Sequence, residues 1–286
     1  MIDYDKMLLH LIEEALLEDV GSGDYSTLSC IPKEQQGKAV LKIKQDGILA
    51  GVHVAEKIFH FLQPDATFHI VKNDGEPMKF GDIAFHVEAS THTILKAERL
   101  ALNCMQRMSG IATLTNRYVQ LLNGYSTQLL DTRKTTPNFR LLEKEAVKIG
   151  GGTNHRFGLF DMIMLKDNHI DYCGGIEKAI EKSHNYVLTN NLNLKIEVET
   201  RDLDDVKKVM SVGKGKVFRI MLDNFTPEQV NEAVKLINHQ YETEASGGIN
   251  FDTIQSYAQA GVDFVSVGGL IHQAQSLDLS LKAEMV

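Results

Sequence analysis

The sequence contains few cysteines, no apolar run of membrane length and no excess of positive charge. Its three cysteines, Cys30, Cys104 and Cys173, lie far apart in a chain of 286 residues. An odd number at these spacings is typical of reduced thiols and does not match a disulfide framework or a zinc site. No segment approaches the roughly 20 apolar residues of a membrane helix, and the acidic N-terminus lacks the basic start of a signal peptide. We therefore expect a cytoplasmic protein.

The composition excludes some classes of partner. A formal net charge of −8 argues against a general affinity for nucleic acid or anionic membranes, because both require a wide positive field. The 43% hydrophobic and 24% charged residues are typical of a folded globular chain. At this length we expect one large domain with a smaller companion.

One segment carries a net positive charge although the whole chain is negative. Residues 131–169 hold seven Lys or Arg against five Asp or Glu, a local charge of +2, and two histidines in addition. A small anionic ligand needs only such a local positive field.

The N-terminal part mixes one helical pattern with short strands. Apolar residues recur at helical spacing between Leu8 and Leu16, and residues 39–51 and 82–90 alternate like strands around a turn-rich segment. A long helical pattern follows and is open to a break at Ser109 and Gly110. We interpret residues 1–110 as an α+β domain.

Beyond residue 110, short apolar strands alternate with helical stretches. Six strands are visible, in the segments QLLD, MIML, LKIEVE, FRIMLD, ETEASGG and DFVSVGG. Strand, helix and strand at this spacing predict right-handed crossovers and a parallel sheet. Polar residues end most of these strands, which favours an α/β barrel with its active site at the carboxyl edge. A doubly wound sheet is the alternative.

Cations follow two of the strands. Arg133 and Lys134 come after the first, although adjacent residues of an extended segment point to opposite faces unless the chain has already turned. Arg156 follows three glycines that suit either a helix cap or close ligand approach. Lys166 follows the second strand and is either an anion ligand or a Schiff-base nucleophile. Solvated surface charges are the simple alternative.

Carboxylates and glycines end the remaining strands. Glu197 and Glu199 share a face because strand side chains alternate, and Asp223 ends the next strand. They suit Mg²⁺, sugar hydroxyls or developing positive charge, or simply pair with the cations. The last two strands end in paired glycines before predicted helices, a pattern typical of phosphate sites.

Several of these motifs resemble one family. The segment DTRKTTPNFRLLEKEAVKIGGGTNHRFGLFDMIMLKDNHI, together with ERLALNCMQRMSG, IEVE, MLDNF, EASGGI and VSVGGLIH, is similar to quinolinate phosphoribosyltransferase, the decarboxylating nicotinate-nucleotide pyrophosphorylase of NAD biosynthesis. The similarity runs in order along nearly the whole chain. It implies an N-terminal α/β sandwich in residues 1–110, joined by the C-terminal tail at 270–286, and an incomplete barrel of six or seven strands in residues 111–269.

The resemblance also implies a role for each motif residue. Arg133, His155 and Arg156 would bind the two carboxylates of quinolinate, with Arg99 reaching the same pocket from the other subunit of a homodimer. Lys134 and Lys166 would surround the pyrophosphate and the reacting centre, and Glu199 and Asp223 would face the ribose. The 5-phosphate would lie against Ser246, Gly247, Gly248, Gly268, Gly269 and His272.

The chemistry of the two implied substrates agrees with these residues. Phosphoribosyl pyrophosphate (PRPP) and quinolinate are both anionic, so they need several cations and a few oxygen acceptors. Mg²⁺ is the expected cofactor, held mostly by PRPP and water, with Glu199 and Asp223 as candidate ligands. Neither pyridoxal nor thiamine is needed, because the alkylated pyridine ring itself accepts the electrons released by decarboxylation. A higher oligomer than the dimer is compatible with the sequence.

Three alternatives stay open at this point. A related phosphoribosyltransferase would use a different acceptor, which needs only a reshaped carboxylate pocket. A Schiff-base aldolase-type barrel would use Lys166 as nucleophile, but it leaves Arg99, Arg133 and Arg156 without a common purpose. A catalytically silent phosphosugar-binding protein would bind PRPP without turnover.

Overall fold

The computed structural model of the protein describes residues 2–284. Its first elements in chain order are α1 (Tyr4–Val20), α2 (Tyr25–Cys30), β1 (Gln36–Ile43), β2 (Gly47–Ile48), α3 (Val52–Leu62), β3 (Thr67–Ile70), β4 (Pro77–Met78), β5 (Ile83–Ser90) and α4 (Thr91–Leu121). The chain continues with β6 (Gln128–Leu130), α5 (Arg140–Ile149), β7 (Ile163–Leu165), α6 (Asp167–Cys173), α7 (Ile176–Thr189), β8 (Ile196–Thr200), α8 (Leu203–Val212), β9 (Arg219–Asp223), α9 (Pro227–Ile237), β10 (Glu242–Ser246), α10 (Ile254–Gln259), β11 (Phe264–Ser266), α11 (Gly269–His272) and β12 (Leu279–Glu284).

The contacts divide the chain into two compact units. Unit 1 comprises Met1–Asn116, Thr135–Gly151 and Leu270–Val286, and unit 2 comprises Arg117–Lys134 and Gly152–Gly269. The segment 135–151 joins unit 1, because α5 buries its apolar face there and Glu143 of α5 accepts hydrogen bonds from Arg107 of α4. The predicted domain division at residue 110, with tail 270–286 and barrel 111–269, stays a prediction.

Unit 1 is built on an antiparallel sheet. In the part of the chain that the structure describes, this sheet has four strands in the order β12-β1-β5-β3. Strand β1 lies between β12 and β5, so a strand from the far end of the chain pairs along most of its length, from Lys38 opposite Glu284 to Ile43 opposite Leu279. Apolar side chains of β1, β5 and α3 form the buried core of the unit.

Helix α4 is continuous, so the break suggested at Ser109 and Gly110 is wrong. The glycine serves close packing instead. A Cβ atom at Gly110 would lie 2.0 Å from the carbonyl oxygen of Gln275, so only glycine lets these two backbones approach. Ser109 is fully buried, and its hydroxyl accepts a hydrogen bond from the main-chain N–H of Ala50.

Unit 2 is the predicted incomplete α/β barrel. Among its described residues, six parallel strands follow the order β6-β11-β10-β9-β8-β7. From β7 to β11 each new strand joins beside the previous one in the same direction, whereas a doubly wound sheet would reverse direction once. The doubly wound alternative is therefore wrong. All six strands expected from the sequence are present, and their carboxyl ends share one edge.

Helices α8 and α9 show how the sequence fixes the crossovers of unit 2. Asp202 caps α8 by accepting a hydrogen bond from the N–H of Asp205. Thr226 and Gln229 form a reciprocal capping box at the start of α9, with Pro227 in the first turn. These side chains satisfy N–H groups that have no partner within a helix. No helix within residues 2–284 has the length and apolarity that crossing a membrane requires.

The three cysteines differ in reactivity. Burial raises the pKa of Cys104 to about 12, whereas Cys30 is exposed and Cys173 is partly exposed, and all three are free thiols. Since the thiolate is the reactive form, iodoacetamide at pH 8 is expected to label Cys30 first and Cys104 only after unfolding. Peptide mass spectrometry over time measures the three rates. Equal rates for Cys30 and Cys104 in the native protein would contradict the burial.

Candidate active site

A cavity of about 710 Å³ opens at the carboxyl edge of the strands of unit 2. Every strand of the barrel contributes to it through a residue at its end or in the following loop. The lining residues are Thr132, Arg133, Lys134, His155, Arg156, Met164, Lys166, Asp167, Glu199, Met221, Asp223, Asn224, Glu244, Ser246, Gly247, Gly248, Ile249, Ser266 and Gly268.

The cations expected after the first two strands all line this cavity. Arg133 and Lys134 both reach it, because β6 ends at Leu130 and the chain has turned before them. Burial, and then the positive charge of Arg133, lowers the pKa of Arg156. Two guanidinium groups that repel each other inside a cavity favour an anionic ligand, which would remove the repulsion. Arg133 and Arg156 are only partly exposed, whereas Lys134 is exposed, so the simple alternative of a solvated surface charge stays open for Lys134.

Lys166 meets the carboxylates of the neighbouring strands. Its Nζ lies 2.9 Å from Oε2 of Glu199, and its side chain is 45% exposed. A half-exposed, ion-paired lysine is not the desolvated amine of a Schiff-base enzyme, so the structure disfavours the aldolase alternative. Burial first, and then the negative charge of Glu199, raises the pKa of Asp223 above its usual range. The two carboxylates therefore face the same space.

His169 has a structural role at the start of α6. Its Nδ1 accepts a hydrogen bond from the main-chain N–H of Lys166 at 3.1 Å and caps the start of α6. The three glycines before His155 also belong to a helix end. Gly150 ends α5, and a Cβ atom there would lie 2.4 Å from the carbonyl oxygen of Ala112. Gly151 adopts a φ of 93°. For Gly150 and Gly151 the structure therefore favours the helix-cap interpretation.

Below the cavity lies a group of buried charges that we call the floor cluster, defined as His155, Glu197, Arg219 and Glu244. Nε2 of His155 lies 3.0 Å from Oε2 of Glu197 and 3.4 Å from Oε2 of Glu244. The same Glu244 oxygen accepts a hydrogen bond from Nη1 of Arg219 at 3.0 Å. Both carboxylates are fully buried. His155 and the two glutamates lie close enough to hold a cation, but Arg219 already supplies positive charge there.

The proton on His155 is fixed by its two neighbours. Burial alone would lower its pKa, but the hydrogen bonds and charges of Glu197 and Glu244 raise the pKa to about 9. The main-chain N–H of Arg156 nevertheless donates to Nδ1 at 2.7 Å, and a proton on Nδ1 would oppose this bond. In this geometry Nδ1 is the acceptor, and Nε2 is the nitrogen whose proton faces the two carboxylates. Burial and repulsion from Glu244 raise the pKa of Glu197 in the same cluster to about 7.

The glycines after β10 form a tight turn. Gly247 and Gly248 adopt φ values of 90° and 65°, and Asn224 beside them adopts 59°. The N–H of Asn224 donates to the carbonyl oxygen of Ser246 at 2.8 Å, which joins the ends of β9 and β10. Helix α10 begins only at Ile254, so the predicted helix N-terminus does not follow these glycines directly. The turn itself, with two positive φ values, presents its backbone to the cavity.

Some expected site residues lie outside this lining. Within residues 2–284, the cavity lining does not include Glu197, Gly269, His272 or Arg99. His272 and Arg99 are exposed residues of unit 1, on α11 and α4. The roles implied for all these residues stay predictions, as do those of the residues that the cavity brings together.

Eight residues of the described lining were not predicted from the sequence, namely Thr132, Met164, Asp167, Met221, Asn224, Glu244, Ile249 and Ser266. Glu244 had a visible signal, because a charged residue inside an apolar strand needs a buried partner. Asn224 also had one, because asparagine tolerates the left-handed conformation better than most residues. Thr132 and Ser266 show no pattern that separates them from other strand ends.

Family models match almost the whole chain. Residues 24–109 match the model described as quinolinate phosphoribosyl transferase, N-terminal domain, and residues 111–282 match the model described as quinolinate phosphoribosyl transferase, C-terminal domain. The two matches include every residue that lines the cavity.

Individual proteins agree with these models. The chain is 42% identical over 287 residues to the chloroplastic nicotinate-nucleotide pyrophosphorylase [carboxylating] of Arabidopsis thaliana, covering 96% of this chain and 82% of the relative. It is 38% identical over 274 residues to the probable nicotinate-nucleotide pyrophosphorylase [carboxylating] of Bacillus subtilis, covering 96% and 92%. The crystal structure of NadC from Streptococcus pyogenes superposes with a TM-score of 0.91 at 39% identity, covering 98% of both chains.

Proposed function

Because this chain belongs to the quinolinate phosphoribosyltransferase family, we propose that it transfers the phosphoribosyl group of PRPP to quinolinate with decarboxylation. The products are nicotinate mononucleotide, pyrophosphate and CO₂, in the biosynthesis of NAD. The chain is thus an enzyme of the pentosyltransferase type. The observation that carries the proposal is the cavity at the strand ends, which is lined by four Lys or Arg side chains, four carboxylates and a glycine turn.

The acceptor binds between the guanidinium groups. Arg133 and Arg156 repel each other in the free cavity, and the two carboxylates of quinolinate compensate both charges. Planar guanidinium groups can bind carboxylates through two hydrogen bonds each, which also fixes the orientation of the pyridine ring. A monocarboxylate such as nicotinate would leave one guanidinium uncompensated.

The donor binds across the other side of the cavity. The turn at Ser246, Gly247 and Gly248 holds the 5-phosphate through its main-chain N–H groups. Glu199 and Asp223 accept hydrogen bonds from the ribose hydroxyls. Lys134 and Lys166 place their positive charge around the pyrophosphate.

The carboxylates also act on the chemical step. As pyrophosphate leaves, C1 of the ribose develops positive charge, which Glu199 and Asp223 stabilise from within the cavity. The ring nitrogen of quinolinate then attacks C1 and becomes cationic. Loss of CO₂ from C2 leaves its electron pair in the ring, where the cationic nitrogen stabilises it until C2 takes a proton. No other electron sink is required.

Magnesium fits the donor set but is a proposal. Burial, and then the negative charge of Glu199, raises the pKa of Asp223, and two carboxylates that face one space are suitable ligands for a hard divalent cation. These two residues would hold Mg²⁺, with PRPP and water as further ligands. When bound, the ion would neutralise charge on the leaving pyrophosphate.

A shared dimeric site is also part of the proposal. Arg99 is exposed on α4 and has a charge that would suit a quinolinate carboxylate in the site of a second copy. This arrangement, with a homodimer or a higher oligomer, rests on the family resemblance. The cytoplasmic location stays a prediction and is supported by three cysteines that are free thiols.

The test of the reaction is mass-spectrometric. Purified protein is incubated with quinolinate, PRPP and Mg²⁺, and nicotinate mononucleotide and CO₂ are followed, with nicotinate as a parallel acceptor. We expect product from quinolinate alone. Turnover of another pyridine acid but not of quinolinate would indicate a related transferase with a different acceptor. PRPP binding without any turnover would indicate a silent binding protein.

The glycine turn gives a prediction for the phosphate site. A Cβ atom at Gly247 would lie 2.2 Å from Oδ1 and 2.9 Å from the main-chain nitrogen of Asn224, whereas one at Gly248 would meet no atom within 4 Å. Gly247→Ala is therefore expected to raise the KM for PRPP by about tenfold or more, because the turn must move. Gly215→Ala is the matched control, since Gly215 lies outside the cavity lining described for residues 2–284, has a φ of 73° and leaves an added Cβ without an atom within 4 Å, so the change adds only the strain of a positive φ, about 1 kcal/mol. Similar PRPP KM values in both variants would contradict the steric argument.

A further inference from the structure

The floor cluster connects the acceptor side of the cavity to the opposite end of the barrel. We propose that Glu244 and Arg219 are positioning residues that hold His155, and through it the main chain at Arg156, in place for the dicarboxylate acceptor. The inference rests on the proposed function, because it concerns the affinity for quinolinate.

Glu244 is a buried carboxylate in the middle of β10. It is the third residue of β10, fully buried, and it lines the cavity from below. A buried carboxylate beneath an anion site would weaken anion binding unless its charge were compensated. Its Oε2 atom accepts from Nη1 of Arg219 at 3.0 Å and lies 3.4 Å from Nε2 of His155. The oxygen therefore faces two donors.

Arg219 reaches this oxygen from the amino end of β9. Its Nε and Nη2 donate to Oε2 of Glu242 at 3.1 and 2.7 Å, while Nη1 donates to Glu244. The guanidinium also stacks on the ring of Phe264, with Cζ 4.1 Å from the ring centroid. Five fixed donors and a stacked plane allow little rotation. Arg219 is thus a rigid link between the far end of the barrel and the cavity floor.

His155 is held on both sides. Its Nε2 faces Glu197 and Glu244, and its Nδ1 accepts the main-chain N–H of Arg156 at 2.7 Å. The main-chain N–H of His155 itself donates to Oδ1 of Asp131 at 2.8 Å. The imidazole therefore lies between the two carboxylates and the Arg156 main chain and acts as a strut between them.

The position of Arg156 depends on His155, because its main-chain N–H donates to the imidazole. Its guanidinium donates to the carbonyl oxygen of Met162 at 3.1 Å and lines the cavity beside Arg133. A shift of the imidazole would move the Arg156 main chain, and with it one of the two guanidiniums that the acceptor needs. Small displacements of binding groups cost much affinity when a ligand is bound through several hydrogen bonds at once.

The experiment compares two glutamate-to-glutamine variants on β10. Both glutamates pair with Arg219, but only Glu244 also faces His155, since the side chain of Glu242 is 37% exposed at the other end of the guanidinium. For Glu244→Gln we expect the quinolinate KM to rise about tenfold, with the PRPP KM unchanged within about twofold. For the control Glu242→Gln we expect both constants to stay within about twofold of the wild type.

Arg219→Lys gives a second measurement if Glu244→Gln does not fold. Lysine keeps the positive charge but lacks the planar guanidinium that donates to both glutamates. We therefore expect the quinolinate KM of Arg219→Lys to rise, but by less than that of Glu244→Gln. An unchanged quinolinate KM in a folded Glu244→Gln or Arg219→Lys variant would overturn the inference. So would an equal rise in Glu242→Gln, since a general loss of barrel stability would then explain both.

A readout independent of turnover separates this inference from the proposed reaction. The main-chain amide proton of Arg156, bonded to an imidazole nitrogen, is expected to shift in the NMR spectrum of Glu244→Gln but not of Glu242→Gln. Absence of product from quinolinate and PRPP in the wild type would refute the reaction while leaving this shift testable. An unmoved Arg156 amide in Glu244→Gln would refute the strut whatever the reaction.

Discussion

Glu199→Gln is expected to lower kcat by about 100-fold to 1,000-fold, with a much smaller change in the KM for PRPP. Glutamine keeps the oxygen that can accept from a ribose hydroxyl, but it removes the negative charge that stabilises C1 as pyrophosphate leaves. Glu199 is only 7% exposed, so water cannot replace that charge. Steady-state kinetics with quinolinate and PRPP measure both constants.

A second ion pair of unit 2 supplies the control for this variant. Glu181 pairs with Lys216, outside the lining of the cavity as described for residues 2–284, and its side chain is 46% exposed. For Glu181→Gln we expect kcat within about twofold of the wild type, because exposed ion pairs contribute little. A kcat for Glu199→Gln that also stays near the wild type would show that no charge at this position acts on the transition state.

Mixing two inactive variants is expected to restore activity if the site is shared. Arg99→Ala and Arg133→Ala should each lose about 100-fold or more, because each leaves a substrate carboxylate without its cation. In a homodimer with Arg99 acting on the partner's site, a hybrid has one intact site and one doubly defective site. Random exchange makes half the dimers hybrids, so about a quarter of the wild-type activity should return.

Subunit exchange must be demonstrated in the same samples. Differently tagged variants, purified through both tags after mixing, isolate the hybrid and allow its activity to be measured directly. Isolated hybrids without activity would place Arg99 and Arg133 in the same site of one chain or remove Arg99 from the site altogether. Two copies of the same variant, mixed in the same way, should gain nothing.

Much of the barrel could be predicted because its strands are short, apolar and end in polar residues. Asp223 and Ser246 end β9 and β10 in the structure, as the segments FRIMLD and ETEASGG indicate. This regularity arises because parallel strands bring their carboxyl ends to one edge. The strand-end pattern therefore predicted about half of the cavity lining, and it left open whether the sheet was closed or doubly wound.

The parts that escaped prediction depend on contacts between distant segments. Gly110 looks like a helix breaker, and only the approach of Gln275 explains why α4 continues through it. The grouping of α5 with unit 1 depends on the bond between Arg107 and Glu143. Glu244 and Arg219 were visible as charges within apolar strands, but their pairing needs the register of β9 with β10. The sequence around a residue does not show which distant residue it will contact.

The pairing of β12 with β1 has a consequence for how the protein is made. A ribosome produces β1 early, yet the strand that lies beside it on one edge is synthesised only after the whole barrel. Until then, that edge of β1 offers unpaired N–H and C=O groups to other nascent chains. Unit 2 draws on a nearly continuous stretch of chain and can close earlier. A fusion or truncation in the segment that contains β12 would therefore first cause aggregation during expression, although it changes no residue of the active site.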